Sequence, residues 1–222
     1  MELPGLIRVR PEETELIDEL SNMMGESFLE EGWTQVWLSA LDAIGINNQR
    51  KLEISRAIIK CNFTIGAPHN CVYMLPDKSA ATGAYLSSDL GGRTWGALED
   101  ESMENMRREY LSEEESRILG ERMHEMGFIS NFSWMLEDAQ ENDFLHFFAI
   151  GVDTQKRGSG SFRRLMTPFF DFADSKGLKC YLECYSDKTE GIYSHHGFET
   201  VKRFSDPIFD VTERCMIRYP RV

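Results

Sequence analysis

The stretch FLHFFAIGVDTQKRGSGSFRRLM, residues 144–166, sets three kinds of local structure end to end. FLHFFAIGV (144–152) is a nearly continuous apolar run, which predicts a strand covered on both faces. QKRGSG (155–160) packs two glycines and two cations into six residues. Phe162, Leu165, Phe169 and then Phe172 or Ala173 come next at helical spacing, and the stripe ends near Gly177. A strand that runs through a glycine loop into a helix presents free backbone N–H groups at the helix N-terminus. The helix dipole adds partial positive charge there, so the loop suits a phosphate. Gly158 and Gly160 lack Cβ atoms and let the backbone approach an anion, and Lys156 and Arg157 add charge. No Gly-Lys-Ser or Gly-Lys-Thr ends the loop, so it is not a Walker A motif. Ser161, Phe162 and Arg163 come after Gly158-Ser159-Gly160, so it is not a dinucleotide fingerprint either.

Downstream, LKCYLECY (178–185) reads as a strand, Asp187 to His195 as a short helix stopped by Gly197, and FETVKRF and FDVTERCMIRY as two last strands. Pro168 falls inside the helical stripe, where proline costs about 3 kcal/mol unless accommodated, and predicts a kink. Upstream, LIRVR (6–10) reads as a short strand. Pro11 and two glutamates open a helix with Leu16, Leu20, Met24 and Phe28 on one face. Residues 33–60 read as helical with a break at Gly45. HNCVYML (69–75) and ATGAYLSS (81–88) flank Pro76-Asp77-Lys78 as a hairpin. GGRTWG (91–96) reads as a loop, and the charge-dense 99–126 as helix, with Met103, Met106, Tyr110 and Ile118 as inward positions. Ser112 is placed to cap a helix start at Glu113-Glu114-Glu115. The order predicts an α/β (mixed α+β) protein: a mixed sheet with helices on both faces. No repeat or linker divides the chain, so 1–222 reads as one domain.

The chain has 222 residues, 41% hydrophobic, enough for a real core. It carries 24 basic against 37 acidic residues, net −13. Nucleic-acid binders draw affinity from phosphate neutralisation and usually carry the opposite sign, so no nucleic-acid partner is expected. Five cysteines show neither a disulfide framework nor zinc-ligand spacing, and no metal is expected. No basic leader precedes a long apolar run and no stretch of about 18 apolar residues occurs. A cytoplasmic protein without a membrane partner is the expectation.

QKRGSG matches the Q/R-x-x-G-x-G/A loop of the GCN5-related N-acetyltransferases, the GNAT family. The resemblance extends through HFFAIGVDTQKRGSGSFRRLM with strand, loop and helix in the family's order. Leu182-Glu183 and then IYSHHGF (192–198) resemble the family's next strand and its Y-x-x-x-G-F element. It covers about residues 144–204; the first half agrees only in element order. The resemblance implies a six- or seven-stranded mixed sheet whose strands at 144–152 and 178–185 splay apart to admit the pantetheine arm of acetyl-CoA. Backbone groups of Ile150 and Val152 would hold the pantetheine amides. N–H groups of Arg157, Gly158, Ser159, Gly160 and Ser161 would hold the pyrophosphate. Residues 141–222 would form the acetyl-CoA half, and 1–140, with its helical insert, the acceptor half.

Acetyl transfer to an amine needs a neutral amine, a donor for the developing oxyanion and a proton for the departing thiolate. Tyr193 matches the family's general-acid tyrosine; the other reading is an aromatic that only packs at the helix–strand junction. Glu183 lies across the gap as a base, or as a structural carboxylate at a strand end. His146 reads as a core histidine, and His195-His196 diverge too far for a metal pair. Trp33, Trp37 and Phe28 line an apolar acceptor pocket or belong to the core. The expected activity is acetyl-CoA-dependent N-acetylation of a small-molecule amine. The alternatives are protein N-terminal or lysine acetylation and a non-catalytic acyl-CoA-binding module. The oligomeric state stays open, a homodimer included.

Overall fold

The computed structural model describes residues 1–127, 132–140, 142–206 and 208–221. Among these, seven strands, β1 (Ile7–Arg8), β2 (Val72–Met74), β3 (Ala80–Leu86), β4 (Phe144–Val152), β5 (Lys179–Cys184), β6 (Phe198–Asp206) and β7 (Val211–Arg218), form one sheet. Their order is β1-β2-β3-β4-β5-β7-β6. β4 and β5 pair in parallel, and the other neighbouring pairs are antiparallel. The mixed seven-stranded sheet is the one expected. The parallel pair has a helix between its strands, as a parallel crossover requires.

The helices are α1 (Thr14–Leu29), α2 (Gly32–Ser39), α3 (Asn48–Gly66), α4 (Trp95–Tyr110), α5 (Glu113–Glu125), α6 (Ser133–Ala139), α7 (Ser161–Lys176) and α8 (Asp187–His195). One face of the sheet is covered by α7, whose Leu165, Met166 and Phe169 meet Phe147, Leu182 and Met216. The other face carries α1 and α3 over Val72, Ala81 and Ala149, and α4 and α6 over Tyr85, Phe144 and Tyr181. Both faces of β4 are covered from Phe144 to Phe147, which explains its apolar run, while Phe148, Ile150 and Val152 are half-buried. α7 runs unbroken through Pro168.

Ser112 caps a helix start at Glu113 as expected, and two expectations of extent change. Residues 99–126 form two helices, because Leu111 turns extended and Ser112 starts a new one. The Ser112 hydroxyl accepts the Glu115 N–H (3.2 Å) while the Glu115 carboxylate accepts the Ser112 N–H (2.8 Å). This reciprocal capping box satisfies donors that an uninterrupted helix would not expose. The loop at 91–96 ends early: the Thr94 hydroxyl accepts from the Ala97 N–H, and α4 begins at Trp95.

Candidate active site

The parallel pairing of β4 with β5 runs from Phe144↔Lys179 only as far as Phe147↔Leu182. Beyond it β5 stays with β7, and β4 stays with β3. The strands fork at Phe148. That residue is also an extra one against β3, where Gly83 faces Ala149 and Ala84 faces Phe147. Such a bulge bends a strand and re-aims the residues after it. An antiparallel ladder alternates residues that bond to the partner with residues that face away. Asp153 N–H bonds to Ser79 on the β3 side, so Ile150 and Val152 turn their backbone groups into the fork. The Val152 carbonyl already accepts the Ser27 hydroxyl (3.0 Å), which leaves the Val152 N–H for a ligand.

The loop after β4 ends at Gly160, which caps α7 in the left-handed conformation. Gly158 (φ +79°) and Gly160 (φ +83°) both have positive φ, and a Cβ at either would face open space. The first amides of α7 lack intrahelical partners and point out of its end. The loop is braced by hydroxyls: Ser161 lies 2.9 Å from both Ser79 and Ser159, and Ser159 donates to the Lys156 carbonyl. The Ser159 backbone N–H also bonds to the Lys156 carbonyl (3.2 Å), so of the five amides expected at the loop that of Ser159 is already engaged, while the Ser161 side chain braces the loop. The Arg157 guanidinium is held by Glu30 (2.8 Å) and Ser27 (3.3 Å) and ties the loop to the end of α1.

Fork and loop open into one cavity of about 2040 Å³. Its lining includes Lys156, Arg163 and Tyr193, and also Trp33, Trp95, Met103 and Met126. Tyr193 packs between Phe162 and Phe198, half-buried. Burial, with Glu31 and Cys184 adding, pushes its phenol well up, so it stays protonated. Glu183, at the fork, is almost fully buried: its carboxylate accepts the Trp134 indole N–H (2.6 Å) and meets His146 Nε2 (2.8 Å). The strand histidine is thus a partner of the strand glutamate across the β4–β5 pair.

Of the cavity carboxyls that sequence reading missed, two have raised pKa values. Glu31, between α1 and α2, has a buried oxygen without a hydrogen bond among the described residues, and burial and Glu30 raise its pKa. Glu99, on α4, is raised to about 8 by burial, then by Glu183 and Asp100. Both sit in ordinary charge-rich sequence, where only their position marks them. Trp33 and Phe28 line the cavity as expected. Trp37 does not: it is core, and its indole N–H bonds to the Leu119 carbonyl. His195 and His196 stand at the cavity rim, with burial lowering the His196 pKa.

The arrangement has counterparts among solved structures. Arylalkylamine N-acetyltransferase 2 from Aedes aegypti superposes with a TM-score of 0.57 over 97% of this chain and 98% of its own, at 13% identity. The polyamine N-acetyltransferase of Drosophila melanogaster gives 0.56 over 96% and 98%, at 16% identity. The chain has the GNAT fold. In sequence, an uncharacterized N-acetyltransferase of Schizosaccharomyces pombe is 39% identical over 49 residues, 22% of this chain; the match spans only a fifth of that relative's length. No protein-family model matches the chain.

Proposed function

We infer that the protein is an acetyl-CoA-dependent N-acetyltransferase that passes an acetyl group to the amine of a small molecule by direct attack on the thioester. The observation that carries this reading is the opening of the β4–β5 fork and the glycine loop of α7 into one cavity. Similarity to enzymes named for polyamine and arylalkylamine acetylation supports the acceptor class. So does the lining of the cavity, which includes aromatic and methionine side chains with carboxyls among them. Five buried, unpaired thiols suit a reducing cytoplasm, and no helix of the described residues is long and apolar enough to cross a membrane.

The residues divide the work. The amides of Arg157, Gly158, Gly160 and Ser161 hold the pyrophosphate at the α7 N-terminus, the Ser159 N–H being bonded to the Lys156 carbonyl, with Lys156 and Arg163 as nearby cations. Ile150 and Val152 hold the extended arm of the donor as an added strand would be held, and fix the thioester in the fork. A backbone N–H turned into the fork meets the oxyanion as it forms. Tyr193, kept protonated by burial, gives its proton to the departing thiolate. Glu183, with both oxygens already bonded, orients the fork rather than taking the amine's proton. Residues 141–222 supply the donor half and 1–140 the acceptor half of a single domain.

Thermal unfolding with acetyl-CoA at about one hundred times its Kd should show about 2.7 kcal/mol of stabilisation. Gly158→Asp should abolish that shift, because it forces a side chain into the left-handed region and sets a carboxylate against phosphate. A screen of amines should then give amine-dependent CoA release. No shift with wild-type protein would overturn the reading. Binding without turnover on any amine would make the protein an acyl-CoA-binding module.

A further inference from the structure

We propose that Glu99 of α4 is the carboxylate that receives the acceptor's ammonium group and takes up its proton, an assignment that rests on the acetyltransferase reading above. Glu183 is the first β5 residue past the last β4–β5 pair, so it marks the fork. Glu99 lines the same cavity and stands near enough to Glu183 for their charges to act on one another. The Glu183 carboxylate is committed to Trp134 and His146. Glu99 makes no hydrogen bond or ion pair among the described residues.

The groups facing Glu99 come from two strands, the residue after one of them, and its own helix. They are Glu183 on β5, Tyr185 just after it and Tyr85 on β3, with Asp100 on α4 itself. None is a cation. Glu31 differs, because Lys188 and Arg157 act on it and partly neutralise its site. A carboxyl among carboxyls and phenols, raised to about 8, is relieved by an incoming positive charge. It also suits a base working near neutral pH.

The surrounding wall sets the kind of molecule that brings this charge. Trp95 lies one turn before Glu99 and Met103 one turn after, so all three share a helix face. Phe148 stacks on Trp95 with ring centroids 3.6 Å apart. The Trp95 indole N–H is buried there without a partner among the described residues. This wall fits an ammonium on an aromatic or apolar stem.

The protons balance. An ammonium acceptor loses two per acetyl transferred. The first goes to the Glu99 carboxylate and from there to solvent. The second leaves nitrogen as the C–N bond forms and the C–S bond breaks, and ends on the CoA sulfur. Acetyl-CoA and R–NH3+ become the N-acetyl amine, CoA–SH and one H+.

The test is calorimetric binding of 2-phenylethylamine and of uncharged 2-phenylethanol to wild type, Glu99→Gln and Glu31→Gln, with acetyl-CoA binding recorded for each. Wild type should prefer the amine by about tenfold at pH 9, equivalent to about 1.4 kcal/mol. The preference should shrink below pH 8 as Glu99 takes up a proton. Glu99→Gln should lose the preference and its pH dependence while still binding acetyl-CoA, and Glu31→Gln should keep both. Glu99→Asp, which keeps the charge, should retain the preference. A preference that survives in Glu99→Gln, disappears in Glu31→Gln, or is missing from a wild type that binds acetyl-CoA overturns the role of Glu99 and leaves the acetyltransferase reading standing. A wild type that binds no acetyl-CoA overturns both.

Discussion

Tyr193 and Glu183 illustrate how environment assigns roles to single residues. Tyr193 sits against Phe162 and Phe198 in the cavity wall, and burial holds its proton in place. A group that must deliver a proton to a thiolate gains from staying protonated through physiological pH. Tyr193→Phe removes only the hydroxyl and keeps the ring packing. It should lower kcat by about tenfold or more and change acetyl-CoA affinity by less than about twofold. Steady-state rates beside calorimetric binding check this, and an unchanged kcat would return Tyr193 to a packing role. Glu183 shows the opposite case. A strand glutamate beside a gap reads as a base, but the indole of Trp134 and the imidazole of His146 claim its two oxygens. Neither partner is near it in sequence, so only folding shows that the carboxylate is already engaged.

Elements explain why the fork opens where it does. The bulge at Phe148 and the end of β4–β5 pairing coincide, and Gly83 on β3 makes room for the displaced ring. A Cβ on Gly83 would stand 2.1 Å from the Phe148 ring. Gly83→Ala should therefore push Phe148 off Trp95 and cost about 1–3 kcal/mol, as overpacking does. Urea unfolding checks the cost. An acceptor KM that rises more than the acetyl-CoA KM would show that the damage lies on the Trp95 wall; a variant as stable as wild type would mean that the wall yields without strain. The capping box at Ser112 acts at the same scale. It divides the insert into α4 and α5, and α4 then carries Glu99, Met103 and Trp95 to the cavity. Helical periodicity alone ran through this break, because a serine before three glutamates reads as a helix start within a region already read as helix.

For the whole molecule, charge couples stability to pH in two directions. The folded state holds Glu99 near 8, above its ordinary 4.5. Between those values the unfolded chain binds fewer protons than the folded one, so this group's contribution falls as pH climbs from about 4.5 to about 8. Glu115 has the opposite sign. The Arg50 guanidinium beside it holds its carboxyl at about 2. That stabilisation is present above 4.5 and is lost as pH falls toward 2. Glu99→Gln should therefore gain in urea midpoint relative to wild type between pH 5 and pH 9, and most of the gain should be in place by pH 8. A difference that does not change with pH would mean that Glu99 titrates in the ordinary carboxylate range.

The sequence by itself determined the architecture of the second half of the chain. Local rules act over short spans there: an apolar run long enough for a buried strand, two glycines where a chain must turn, an apolar stripe at helical spacing. Those rules place strand, loop and helix from 144 to 177, and with them the candidate phosphate site. Tertiary structure alone decided what meets across that frame. It engaged Glu183 with His146 and Trp134, buried Trp37 in the core while leaving Trp33 on the cavity, and set Glu99 in the lining of the same cavity. The reason is physical. Backbone conformation is dictated by neighbours in sequence, whereas the protonation and partnership of a carboxyl depend on desolvation and on charges contributed by distant elements, which exist only once the sheet has closed.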